Sequence, residues 1–178
     1  MKKNKRNAFI EQYHLKSLSK DLSLKLRANH LKEEKIEFVL AFKNISEKSF
    51  YLYKKRAYLG DLFLSQDSKG NFVDLEYIKE YKLPPPQKED FILLLPGKET
   101  EFKIIAEPKW KKIISLSKEA FVLDWEDMVH FLEKPEIFKV YGIYFVEKDF
   151  AKRQEEELCL SNIFWGRVIS EPIEIKLK

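Results

Sequence analysis

At 178 residues the chain has the length of one domain with a sizeable core, and a net charge of +4 is too small to point to a nucleic-acid partner. Its aromatic fraction of 14%, with 14 Phe and 8 Tyr, suits sheets more than helices, while only 5 Gly means that turns must draw on Asn, Asp, Ser and Pro. One cysteine, Cys159, excludes an internal disulfide and a cysteine metal cluster.

The positive charge is concentrated at the amino end, where Lys2, Lys3, Lys5 and Arg6 open the chain. Residues 1–20 are expected to form a basic, partly flexible segment ahead of a single domain over 21–178. No apolar stretch of secretory or transmembrane length follows, so the chain as written reads as cytoplasmic. A periplasmic or lipoprotein setting is the alternative if an export signal once preceded it. Leu158-Cys159-Leu160 is an apolar setting, which predicts an inert core thiol.

The first strand signal is Leu22–Arg27, apolar at every second position. Ile36–Phe42 is the strongest: Ile36, Phe38, Leu40 and Phe42 share one face, and Val39 and Ala41 make the other half apolar, as in a central strand. Lys43-Asn44-Ile45-Ser46 supplies a stop. Residues 62–65 and 72–77 flank Asp67-Ser68-Lys69-Gly70-Asn71 and predict a hairpin. Pro84-Pro85-Pro86 cannot donate to a ladder, Phe91–Leu95 stops at Pro96-Gly97, and Glu99–Ile105 is a strand with Phe102 and Ile104 inward.

The interval 108–135 breaks this rhythm. Trp125, Met128, Val129 and Leu132 lie at i, i+3, i+4 and i+7, Asp124 can cap, and Pro135 can stop, so a short inserted helix is predicted at about 124–134. Strands resume at Phe138–Val146 and at Ile173–Lys178, joined by a charged connection over 148–157. The large ring of Trp165 is expected to pack across the sandwich beside Gly166. The fold class is therefore all-β, an antiparallel β-sandwich carrying one short helix.

Phe42-Lys43-Asn44-Ile45-Ser46, Asp67-Ser68-Lys69-Gly70, Glu89–Glu99, Val140–Phe145 and Trp165–Ile173 together resemble the immunoglobulin-like β-sandwich of bacterial proteins of unassigned role. The order is similar to the sandwich domain that precedes the catalytic domain of deuterolysin-type zinc peptidases. The resemblance implies an immunoglobulin-like topology. The His-Glu-x-x-His motif of those peptidases is missing from the sequence, so the resemblance carries over no peptidase activity.

Chemical motifs are sparse. Glu126, His130 and Glu133 would share a helix face and could approach a divalent ion, but no fourth ligand accompanies them, and a charged helix surface explains them as well. No Gly-x-Ser-x-Gly elbow, Ser-x-x-Lys pair or Gly-rich phosphate loop occurs. No catalytic residue, metal or cofactor is assigned. Tyr53-Lys54-Lys55-Arg56 and Lys109-Trp110-Lys111-Lys112 interleave rings and cations as nucleic-acid surfaces do, yet acidic runs interrupt any continuous basic groove. What remains is a non-catalytic protein-binding module, with Trp110, Lys111, Lys112, Trp125, Glu126, Asp127, His130 and Glu133 as the partner-binding residues. Its sharpest form is an immunity-type antagonist of a toxin or enzyme. A cell-envelope structural or adhesion protein and a hydrolase of unknown type are the alternatives.

Overall fold

A computed structural model describes residues 19–54, 63–73, 75–77, 84–113, 118–125, 128–132 and 137–177. Antiparallel sheets curl against one another in a sandwich-like arrangement, with a single α-helix among the described residues. The expected first strand is β1, Leu22–His30, and the strongest is β2, Ile36–Asn44. A ribbon of β3 (Phe50–Tyr53) and β6 (Phe91–Leu94) stands beside them. The larger sheet continues through β7 (Glu99–Ile113), β8 (Lys118–Asp124), β9 (Met128–Leu132) and β5 (Leu75–Tyr77), in the order β1-β2-β7-β8-β9-β5.

The facing sheet is built on β10 (Ile137–Val146). It pairs with β4 (Phe63–Gln66), β11 (Gly166–Ile169) and β12 (Ile173–Lys176). Ile143 pairs with Ile169 and Val140 with Ile173, so four steps along the C-terminal strands match three along β10. That extra residue is the offset of a β-bulge, placed at Ser170-Glu171-Pro172 where proline has no N–H to lose. Ser170 compensates: its N–H donates to the Gly142 carbonyl (2.9 Å) and its Oγ accepts the Gly142 N–H (2.8 Å).

Alternation explains the core. Leu22, Leu24 and Leu26 of β1 and Ile36, Phe38, Leu40 and Phe42 of β2 are buried, and they meet Phe138, Val140 and Tyr144 of β10. Phe102 is buried as expected, while Ile104 is half-buried against the same core. Val39 and Ala41 are buried on the outer face of β2, whose cross-strand neighbours there are charged. Val39 lies between Arg27 and Lys103, and Ala41 between Lys25 and Glu101. Arg27 bonds Glu101 across β2, and Lys103 reaches Glu37 at 3.4 Å. Long charged side chains thus roof these two residues with their aliphatic stems.

Asn44 closes β2 as more than a stop. Its amide nitrogen donates to the Lys48 and Leu94 carbonyls, both at 2.8 Å, and its Oδ1 accepts from Ser46 N–H (2.9 Å) and Oγ–H (2.8 Å). All four hydrogen-bonding positions of this fully buried amide are filled. The Asp67–Asn71 turn forms with Gly70 at φ +83, and Val73 N–H reaches the Ser65 carbonyl. β5 then leaves β4 and pairs with β9, so the second arm of the expected hairpin stops near Phe72 and Val73.

Three expectations require correction. The helix expected at 124–134 does not form: β8 and β9 pair antiparallel there, Phe121 with Leu132 and Asp124 with Val129. Its apolar spacing is shared between two faces, Val129 packing with Val122 on one and Trp125 and Leu132 entering the main core on the other. β7 also runs through Pro108, because beyond Ala106 it has left the β2 ladder and no described strand pairs with that edge, which suits proline. Finally, the charged connection at 148–157 is the helix α1, Lys148–Leu158. Its inward face is Phe150, Ala151, Gln154 and Leu158, helical in spacing but with a glutamine where a hydrophobe would announce it. No side chain caps its start at Glu147, and it ends on Cys159 in the left-handed region (φ 50), a place where glycine is the usual signal.

Candidate protein-interaction surface

Past Ala106, β7 leaves β2 and pairs with β8, Glu107 with Asp124 and Ile113 with Lys118, while β9 backs β8 as far as Phe121. Strand alternation divides the expected contact residues on this arm of the sheet. Trp110 is 61% exposed, its ring edge-on to Phe121 at 5.6 Å, and the exposed Lys112 follows two positions on. Lys111 belongs to the opposite face. There Lys109 and Lys111 both bind the nearly buried Asp124, at 3.0 and 2.7 Å, and Lys109 also holds Glu107 at 2.8 Å. Lys35 approaches Glu107 at 3.3 Å.

The alternating charges tune one another. Hydrogen bonds from Lys109 and Lys35 hold the Glu107 carboxyl below its ordinary range. The Glu107 hydrogen bond raises the Lys109 ammonium above its ordinary value, against burial and with help from Asp124. Both groups stay ionised at neutral pH, leaving Lys109 and Lys111 engaged within the chain. Trp110 and Lys112, on the opposite face with Phe121, are left exposed to solvent.

The other expected contacts divide differently. Trp125 is only 3% exposed, stacked on Phe63 with ring centroids 4.2 Å apart and tilted against Phe38 at 4.7 Å. His130 is fully buried beside it, so neither ring offers a surface. Burial drives the His130 imidazole down to about 3, and it is neutral. Ser65 Oγ lies 2.8 Å from His130 Nδ1, and both residues are buried. Glu126, Asp127 and Glu133 lie outside the described residues, and the helix face that grouped Glu126 and Glu133 with His130 is not formed.

Of the second basic-aromatic run, Lys55 and Arg56 lie outside the described residues. Tyr53 is buried, stacked on Phe91 at 5.0 Å, with its N–H donating to the Tyr144 hydroxyl. Cys159 is exposed rather than in the core, because it caps α1. Trp165 is 51% exposed, with the Lys148 ammonium 4.9 Å from its ring, and its neighbour Phe164 takes the buried position. Together Trp165, Ile45 and Phe145 line an open groove of about 1020 Å³ floored by Phe50 and Phe164. Sequence spacing did not reveal this groove, since Ile45, Phe145 and Trp165 come from three distant elements. No described helix is long and apolar enough to cross a membrane. No protein-family model matches the chain, and no curated protein does.

Proposed function

We propose that the chain is a non-catalytic protein-binding module built on an immunoglobulin-like sandwich, in its sharpest form an antagonist that masks a toxin or another enzyme. The observation that carries this reading is the exposed Trp110, presented on a strand pair braced from behind by the Lys109–Asp124–Lys111 ion pairs. A rigid exposed tryptophan is the kind of residue that dominates protein interfaces, since it brings large contact area with little conformational freedom to lose. Lys112 beside it favours a partner surface with an acidic rim around an apolar pocket. Face-to-face packing of β1 and β2 on β10 supports the sandwich, and the inward alternation of its strands suits an immunoglobulin-like topology.

The test is a partner recovered in one-to-one ratio and titrated against variants. Trp110→Ala should weaken binding by about 2 kcal/mol or more, roughly thirtyfold. Lys111→Ala, on the braced face, should change it far less. Equal affinity with and without the Trp110 ring would remove the arm as the site. Removing residues 113–134 is not a usable probe, because that segment contains β8 and β9.

A further inference from the structure

β12 pairs with β10 along one edge, and no described strand pairs with its other edge. Its side chains alternate: Ile175 is buried, Ile173 and Leu177 are half-buried against the core, and Glu174 and Lys176 face solvent. We propose that this open edge pairs with the same edge of a second copy of the chain, antiparallel and centred on Ile175, to give a two-fold dimer.

The register follows from strand geometry. A two-fold axis normal to the sheet keeps outer faces together, so each residue must meet one of the same alternation class. Centring on Glu174 sets glutamate against glutamate, and centring on Lys176 sets lysine against lysine. Centring on Ile175 sets Glu174 of each copy against Lys176 of the other, and Ile173 against Leu177 on the core face. Opposite charges directly across a pair stabilise it and like charges oppose it. Within one copy Glu174 and Lys176 are only loosely engaged, at 4.0 Å.

Other open edges lack this complementarity. Full overlap of β1 with itself would place Lys25 against Arg27, and the free edge of the β7 arm would place Lys109 against Lys111. Like charges guard those edges, as natural sheets commonly do. The pairing at β12 is short, and Pro172 ends it at one side, so the dimer should be concentration-dependent. It is independent of the Trp110 arm.

Sedimentation equilibrium over a concentration series tests this. The unmodified chain should show a monomer–dimer equilibrium. Glu174→Lys and Lys176→Glu should each weaken it roughly tenfold or more, since two symmetric contacts turn repulsive. The double reversal Glu174→Lys with Lys176→Glu should restore it, and mixing the two single variants should give a heterodimer. Circular dichroism should be unchanged, as both side chains are exposed. Should a reversal disturb folding, amide exchange on the unmodified chain provides the second measurement, with protection over 173–177 rising with concentration. A chain that stays monomeric throughout, or a dimer unmoved by either single reversal, overturns the proposal.

Discussion

Two buried polar side chains put the heaviest demands on this fold. His130 has one ring nitrogen against Ser65 Oγ and the other, Nε2, buried with no hydrogen-bond partner among the described residues, so a proton added to the ring would bring a poorly compensated charge into the core. Its folded pKa of about 3 lies below the ordinary 6.5. A depressed value means that the unfolded chain binds the proton more readily, so the contribution is complete above pH 6.5 and drains away as pH falls toward 3. Stability from urea unfolding should drop by about 2 kcal/mol between about pH 6.5 and about pH 5 through this group. His130→Gln should flatten the profile in that window. The low-lying carboxylates add their own loss at more acid pH: Asn29 and Lys103 lower Glu37, and at Asp67 the hydrogen bonds from Asn71 and Lys69 outweigh burial. Asn44 makes a different demand, since it holds the Leu94 carbonyl in a buried contact and the Lys48 carbonyl in a part-buried one. Asn44→Ala leaves the Leu94 and Lys48 carbonyls without it and should cost about 2–4 kcal/mol by denaturant midpoint.

Between elements, the tightest point is where β10 crosses β2. A Cβ on Gly142 would sit 2.7 Å from Leu40 Cδ2, in a region where Leu40 is fully buried and has little room to rotate. Gly142→Ala should cost about 1–3 kcal/mol, and adding Leu40→Val should recover part of the loss, a coupling read from the double-mutant cycle. Alternation made β1 and β12 legible in the sequence, and β2, β6 and β10 were legible as apolar runs of strand length. The same reasoning failed at 124–134, where three of the four residues at helical spacing lie on β9 and Trp125 directly follows the end of β8. Strand or helix was decided there by partners, Val122 for Val129 and Phe63 for Trp125, which one-dimensional spacing does not contain. α1 went unread for the opposite reason: both its ends lack the usual caps, and Gln154 interrupts its apolar face. Of the eight expected contact residues, only Trp110 and Lys112 are exposed among those whose burial is described. Exposure depends on where a sheet outruns its neighbour, and β7 outruns β2 at Ala106.

Across the whole molecule, the outer face of the large sheet carries a ladder of ion pairs, from Arg27–Glu101 through Lys103–Glu37 to Glu107, Lys109, Asp124 and Lys111. Most of these charges are wet and worth little individually. Asp124 differs, because its carboxylate is nearly buried between two ammonium groups. Asp124→Asn should therefore cost about 1–3 kcal/mol in thermal or urea unfolding, while Lys103→Gln should stay within about 0.5 kcal/mol. A result in which both substitutions cost the same would mean that the ladder acts as a uniform coat.

β7 gives its first eight residues to β2 and its last seven to β8, so one unbroken backbone belongs to both halves of the sheet. A molecule gripped at Trp110 is therefore holding the same covalent strand that completes the ladder beside β2. Occupancy at the tip should register as a higher melting temperature for the entire chain, climbing with ligand concentration by mass action, rather than as local quieting of an appendage.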